Sequence, residues 1–197
     1  GGTSSRINGF ETESVETRSA TQINGTPYGY WGGGEPGPKS IVDRIDYDND
    51  TATASPKGPL STAKHGTGAT GNTSYGYIGG GTPAPGITTV DRIDYSSDTG
   101  TTPSKGPLAT ARQLLSATGN ASYGYFAGGS PALSTVERVD YSSDTSTAAA
   151  KGPLHFGTDK FGATGNTSYG YFGGGTNPTL SHISRIDYSS DTPTASP

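Results

Sequence analysis

Four arginines and four aspartates recur in this sequence as Arg-[Ile/Val]-Asp: Arg44 with Asp46, Arg92 with Asp94, Arg138 with Asp140, and Arg185 with Asp187. On a β-strand, residues two apart share a face, so each motif presents a cation and an anion side by side. A row of such pairs could encircle an anionic ligand, or it could form a ladder of ion pairs from one unit to the next. The planar fork of arginine reaches a carboxylate and backbone carbonyls together. The structural ladder is therefore the expected role.

Other residue types suggest chemistry that their spacing does not complete. The stretch DYDNDT places Asp46, Asp48 and Asp50 at alternate positions, an oxygen-rich start suited to calcium. The loop glycine and the distal bidentate glutamate of an EF-hand are missing, and plain Asx turns account for the same residues. Calcium is thus the one cofactor to test, and no other is expected. His65, His155 and His182 have no common spacing and belong to no Ser-His-Asp set. The glycine triplets lack a following Gly-Lys-[Ser/Thr] and are not phosphate loops. With no cysteine in the chain, disulfides, thiolate metal sites and cysteine nucleophiles are excluded. The carboxylates that occur outside the repeated motifs (Glu11, Glu13, Glu16, Glu35, Asp159) form no group that would serve as an acid/base pair. Five Asn-x-[Ser/Thr] sequons occur, at Asn24, Asn49, Asn72, Asn120 and Asn166, and three of them lie in a turn that needs asparagine for its own backbone.

The elements that carry these residues are spelled out four times. GTPYGYWGGG (Gly25 to Gly34), GNTSYGYIGGGT (Gly71 to Thr82), GNASYGYFAGGS (Gly119 to Ser130) and GNTSYGYFGGGT (Gly165 to Thr176) are copies of one stretch. Their first tyrosines, Tyr28, Tyr75, Tyr123 and Tyr169, recur about every 47 residues. The motif arginines keep the same period, as do Lys57, Lys105 and Lys151 of the Lys-Gly-Pro-Leu motif. With 32 glycines, 14 prolines and only 28% hydrophobic residues, the composition approaches that of disordered chains. Yet all 12 tyrosines fall into two motifs, two in each Tyr-Gly-Tyr and one after each Arg-[Ile/Val]-Asp. A disordered linker has no need of such register.

Within a unit the patterns predict strands. SYGYFGGG alternates, with Tyr169 and Tyr171 on one face and Gly170 and Phe172 on the other. STVERVDY sets Val136, Arg138 and Asp140 against Glu137, Val139 and Tyr141. SSDT reads as a turn, Lys-Gly-Pro-Leu as an irregular edge segment, and ARQLLSATGN as a further short strand ending in a Gly-Asn turn. The glycines that end the aromatic strand (Gly79 and Gly80, Gly128 and Gly129, Gly173 and Gly174) are expected to allow positive φ and close backbone approach. No useful window has a 3.6-residue period, so the chain is read as all-β, with four short strands per unit. The expected units are an atypical 1–17, then 18–63, 64–111, 112–157 and 158–197, the last lacking its final strand, within one repeat domain spanning 1–197.

A net charge of −4 gives no reason to expect nucleic acid, and no run approaches the ~18 to 20 apolar residues of a membrane span. Methionine is absent even from position 1, which suggests a processed product or a window from a longer polypeptide.

The order of elements YGYIGGG (Tyr75 to Gly81), TTVDRIDYSSDT (Thr88 to Thr99), KGPL (Lys105 to Leu108) and TAR (Thr110 to Arg112) resembles the kelch repeat. The family's tryptophan after the Tyr-Asp turn is absent, and the one tryptophan, Trp31, sits in the aromatic strand. The resemblance implies a kelch-like β-propeller of about four four-stranded blades, as a closed ring or as part of a longer array. Kelch-related oxidases need a cysteine-modified tyrosine, which this chain cannot form. The wording of the repeat is also similar to repeat-rich structural proteins of marine bacteriophages that resemble tail or fibre components. The expected function is accordingly non-catalytic: a structural or recognition module of a virion tail fibre or other extracellular appendage. Its partners would be other structural proteins, further copies of itself, or a cell-surface glycan. The residues expected to make contact are the loops that vary between copies, Glu35 to Lys39, Pro83 to Ile87 and Asn177 to Leu180. A propeller-based glycan-acting enzyme or lectin is the alternative.

Overall fold

The structure is a computed structural model that describes residues 19–21, 27–176, 179 and 181–197. The atypical unit 1–17 and the expected contact residues Asn177 and Leu180 lie outside the described residues. The chain forms four antiparallel sheets, each a meander in sequence order. The first contains β1 (Ser19–Thr21), β2 (Tyr28–Gly32), β3 (Val42–Asp46) and β4 (Ser55–Lys57). The second contains β5 (Gly68–Gly71), β6 (Tyr75–Gly79) and β7 (Val90–Asp94). In the third are β8 (Ser116–Gly119), β9 (Tyr123–Ala127), β10 (Val136–Asp140) and β11 (Ala149–Lys151), and in the fourth β12 (Gly162–Gly165), β13 (Tyr169–Gly173) and β14 (Ile183–Asp187). The two three-stranded sheets gain a single rung in the place of a fourth strand, Asp91 with Ser104 and Arg185 with Ser196. Pro56 lies within β4 and Pro103 beside the first of these rungs, at sheet edges where a missing N–H costs least. Helical structure among the described residues is confined to two 3-10 turns, Tyr47–Asn49 and Tyr141–Ser143, so none there is long and apolar enough to cross a membrane.

One register holds in all four sheets. The first tyrosine of Tyr-Gly-Tyr faces the motif aspartate (Tyr28 with Asp46, Tyr75 with Asp94, Tyr123 with Asp140, Tyr169 with Asp187), and the second faces the motif arginine. Each arginine then leans diagonally over the first ring, 4.1 Å from the Tyr28 centroid for Arg44 and 4.3 Å from Tyr75 for Arg92. This pairing fixes the arginine's direction before any contact outside its sheet.

Consecutive sheets pack face to face. Tyr30, Val42 and Leu60 of the first unit close on Ile78 and Ile93 of the second. Tyr77, Val90 and Leu108 close on Leu115, Phe126, Val139 and Tyr141 of the third. Tyr125, Val136 and Leu154 close on Phe161, Phe172, Ile186 and Tyr188 of the fourth. The core is thus three apolar seams, one per pair of neighbours, each buried only because the next sheet is there. The strands that approach across the seams are β1 and β5, β5 and β8, and β8 and β12. The glycine triplet works one residue later than the sequence suggests. Gly80 and Gly81 have φ of +70° and +103° and turn the chain out of β6, whereas Gly79 still belongs to the strand and a Cβ there would press on the Phe126 ring. Gly128 and Gly129 turn the third unit and Gly174 and Gly175 the fourth. Gly173 therefore stands with Gly79 inside the strand, the place that Ala127 fills in the third unit.

Candidate functional site: the seams and the loop rim

Each seam is tied by one repeated polar cluster. The last aspartate of the Asp-Tyr-x-x-Asp turn reaches back to the preceding sheet. Asp98 Oδ2 accepts from Tyr30 Oη at 2.9 Å and from Arg44 Nη1 at 2.8 Å, while Lys57 Nζ lies 3.4 Å from its other oxygen. Asp144 receives Tyr77, Arg92 and Lys105 in the same way, and Asp191 receives Tyr125, Arg138 and Lys151. Over each cluster two tyrosines stack across the seam: Tyr30 with Tyr95, Tyr77 with Tyr141 and Tyr125 with Tyr188, with centroids 4.7 to 4.8 Å apart. Burial pushes the phenols of Tyr30, Tyr77 and Tyr125 well above the usual tyrosine range, and a nearby carboxylate adds to the shift. Burial also raises Tyr141 strongly and pushes Tyr188 up to about 12. At Asp191 burial opposes ionisation, but the hydrogen bonds from Lys151 and Tyr125 and the charge of Arg138 outweigh it, so the carboxyl stays below its ordinary value. These clusters are anionic sites already filled by their own neighbours.

A second repeated pair lies deeper. Lys64 Nζ stands 2.7 Å from Asp91 Oδ2, both side chains fully buried, and Arg112 pairs with Glu137 in the next unit. Each cation also donates to backbone carbonyls, Lys64 to Ile78 and Thr89, Arg112 to Gly128 and Thr135. Each anion accepts from the backbone of the segment after Lys-Gly-Pro-Leu, Asp91 from Ser61 and Glu137 from Ala109 and Thr110. Burial lowers the pKa of both cations against the pull of their partners. In the fourth unit the pair is replaced by hydroxyls: Thr158 donates to the Thr176 carbonyl, and Ser184 Oγ accepts from the His155 N–H.

The motif aspartates take a different part from the one their spacing suggests. Arg44, Arg92 and Arg138 do join a ladder between units, but through Asp98, Asp144 and Asp191 rather than Asp46, Asp94 and Asp140. The latter group, with Asp187, closes the turn that follows, accepting from the N–H of Asp48, Ser96, Ser142 and Ser189 at 2.9 to 3.0 Å. Hydrogen bonds from the serine hydroxyls hold Asp94, Asp140 and Asp187 below the ordinary carboxylate range. Asp46, Asp48 and Asp50 lie along one such turn, and no three acidic or histidine side chains among the described residues are placed to hold a metal ion. Asn72, Asn120 and Asn166 each accept two backbone N–H bonds in the turn before the aromatic strand.

Residues that differ between copies gather at the opposite end of the sheets. Glu35 to Lys39 and Pro83 to Pro85 are exposed there, while Ile87 is half-buried where its backbone bridges to Arg112. Glu35 Oε1 lies 2.9 Å from His65 Nδ1, so the first loop leans on the following unit. Sequence reasoning missed the aromatic patch on this rim. Phe156 is 38% exposed, stacked on His182 with centroids 4.9 Å apart and edge-on to His155. In the two preceding units the matching segments are Leu-Ser-Thr-Ala-Lys and Leu-Ala-Thr-Ala-Arg, so the departure to Leu-His-Phe-Gly-Thr was visible in the alignment of the copies. At the other end a polar groove of about 350 Å³ lies between the Asn120 turn and the fourth sheet, with Tyr169, Asp187 and Ser189 on its wall.

No protein-family model matches the chain, and no curated protein is similar to it.

Proposed function

We propose that this chain is a non-catalytic structural and recognition module: a kelch-like arc of propeller blades that belongs to a virion tail fibre or other extracellular appendage. Its loop rim meets a protein or a cell-surface glycan. One observation carries the reading. Most of the chemically capable residues that recur between copies are spent on turns and seams, while residues peculiar to one copy stand exposed on a common rim. A scaffold that repeats its joints and varies its loops is built to present those loops. The best anchor on the rim is Phe156 with His155 and His182, because an exposed aromatic face suits a sugar ring or a partner's apolar pocket.

Of the buried carboxylates, Asp91, Glu137, Asp144 and Asp191 each face a cation, and Asp159 accepts from the Thr176 hydroxyl, which favours the non-catalytic reading over glycan hydrolysis. The test is a glycan array and a pull-down of the other proteins of the appendage, run in parallel with the wild-type chain and Phe156→Ser. Binding to one of them, weakened about tenfold or more by the substitution, is the expected result. Hydrolysis of an arrayed glycan, or binding indifferent to Phe156, would overturn it.

A further inference from the structure

The fourth sheet turns outward the face that every earlier sheet buries. In β12, Gly162 and Thr164 are exposed, where the matching Gly68 and Thr70 of β5, and Ser116 and Thr118 of β8, are buried. In β14, Ile183 is 57% exposed, where Val90 and Val136 are fully covered. A Cβ added at Gly162 would meet nothing, whereas at Gly68 it would meet Ala117 of the next sheet. Arg185 keeps its place over the Tyr169 ring at 4.9 Å, and Tyr171 lies opposite it in the register. Arg44, Arg92 and Arg138 each have an aspartate from the following unit, as do Tyr30, Tyr77 and Tyr125. Arg185 and Tyr171 have no such carboxylate among the described residues. The socket is complete, and among the described residues no carboxylate fills it.

The plug is present at the other end of the molecule. Asp50 holds the position in its turn that Asp98, Asp144 and Asp191 hold in theirs, three residues after Tyr47, Tyr95, Tyr141 and Tyr188 respectively. Its side chain is exposed and meets no cation among the described residues, and Tyr47 beside it is 38% exposed. We propose that a second copy of this chain docks head to tail, seating its Asp50 turn on the Tyr171 and Arg185 face of the first. The relation would be the one that joins successive sheets within a chain. The charges are complementary: a cation and a phenol donor on one side, a carboxylate on the other. The apolar complement is Ile183. Because the two surfaces differ, the contact is heterologous, and repeating it gives a filament or a ring according to the rotation per step. This inference goes beyond the rim contacts and does not depend on what the rim binds.

Sedimentation velocity over about 1 to 500 μM tests it, with the unmodified chain, Arg185→Asp, Asp50→Arg and the double variant. Both positions are exposed, so the variants keep the far-UV circular dichroism of the parent; Arg185→Gln replaces Arg185→Asp should that variant misfold. The parent is expected to associate as concentration rises, each single charge reversal to weaken association about tenfold or more, and the double variant to recover it. An equimolar mixture of the two single variants should also recover it, since each tail then meets an opposite charge. A parent that stays monomeric throughout, or single variants that associate as the parent does, would overturn the proposal. Neither result would touch binding through Phe156, which the glycan and pull-down assays read separately.

Discussion

At the scale of single residues, the molecule solves one problem in two ways. The segment after Lys-Gly-Pro-Leu must be tied down at a point fully cut off from water. In the second unit Lys64 and Asp91 do this with charge; in the fourth, Thr158 and Ser184 do it with hydroxyls. A buried ion pair loses much of its Coulomb gain to desolvation, but removing one partner strands the other charge. Asp91→Ser alone should therefore destabilise the protein by about 3 kcal/mol. Lys64→Thr added to it should restore most of that loss, because the pair then matches an arrangement the chain already uses. Urea unfolding of the two variants gives the coupling directly. A double variant no more stable than Asp91→Ser would mean that the fourth unit needs its other differences to accommodate the hydroxyls.

At the scale of the strand and turn, most of the architecture was legible in the sequence because alternation and glycine punctuation act locally. The aromatic strand, the Val-Asp-Arg-Ile-Asp strand and the turn that follows it within each unit come from residues no more than a few positions apart. The partner of the arginine was not legible. Asp46 and Asp98 are equally plausible by type, and the choice depends on how far the next sheet is shifted, a non-local quantity. The aspartate at the end of each turn did recur in every copy, a clue that a turn alone does not explain. The close joint after the fourth strand shows the same limit. Gly58, Gly106 and Gly152 recur in Lys-Gly-Pro-Leu, yet only the packed sheets reveal why. Each donates its N–H to the backbone carbonyl of the seam aspartate in the following unit, and a Cβ there would overlap backbone carbonyl oxygen, that of Ser146 in the case of Gly106. Gly106→Ala should consequently cost about 3 kcal/mol or more, since backbone cannot step aside as a side chain can. Gly100→Ala, in open space, should stay within about 0.5 kcal/mol of the parent. Thermal melting of the pair checks the contrast.

At the scale of the whole molecule, stability is a sum over seams, because no sheet has a core of its own. Such an array behaves as a line of coupled units, and a weak enough coupling breaks it into parts that melt separately. Asp144 anchors the middle seam through Tyr77, Arg92 and Lys105. Its replacement by alanine should remove about 3 kcal/mol of coupling between the first two sheets and the last two. Trp31 in β2, the one tryptophan, reports on the first half alone, while far-UV circular dichroism reports on every sheet. In the parent the two urea transitions should coincide, as a cooperative unit requires. In Asp144→Ala they should separate, with Trp31 following only the melting of its own half. Asp191→Ala makes the decisive comparison. It loosens only the last seam, so about a quarter of the dichroism should be lost early while Trp31 remains with the main transition. Transitions that coincide in both variants would mean that coupling runs through more than the seams, and the description of the molecule as sheets joined pair by pair would have to be given up.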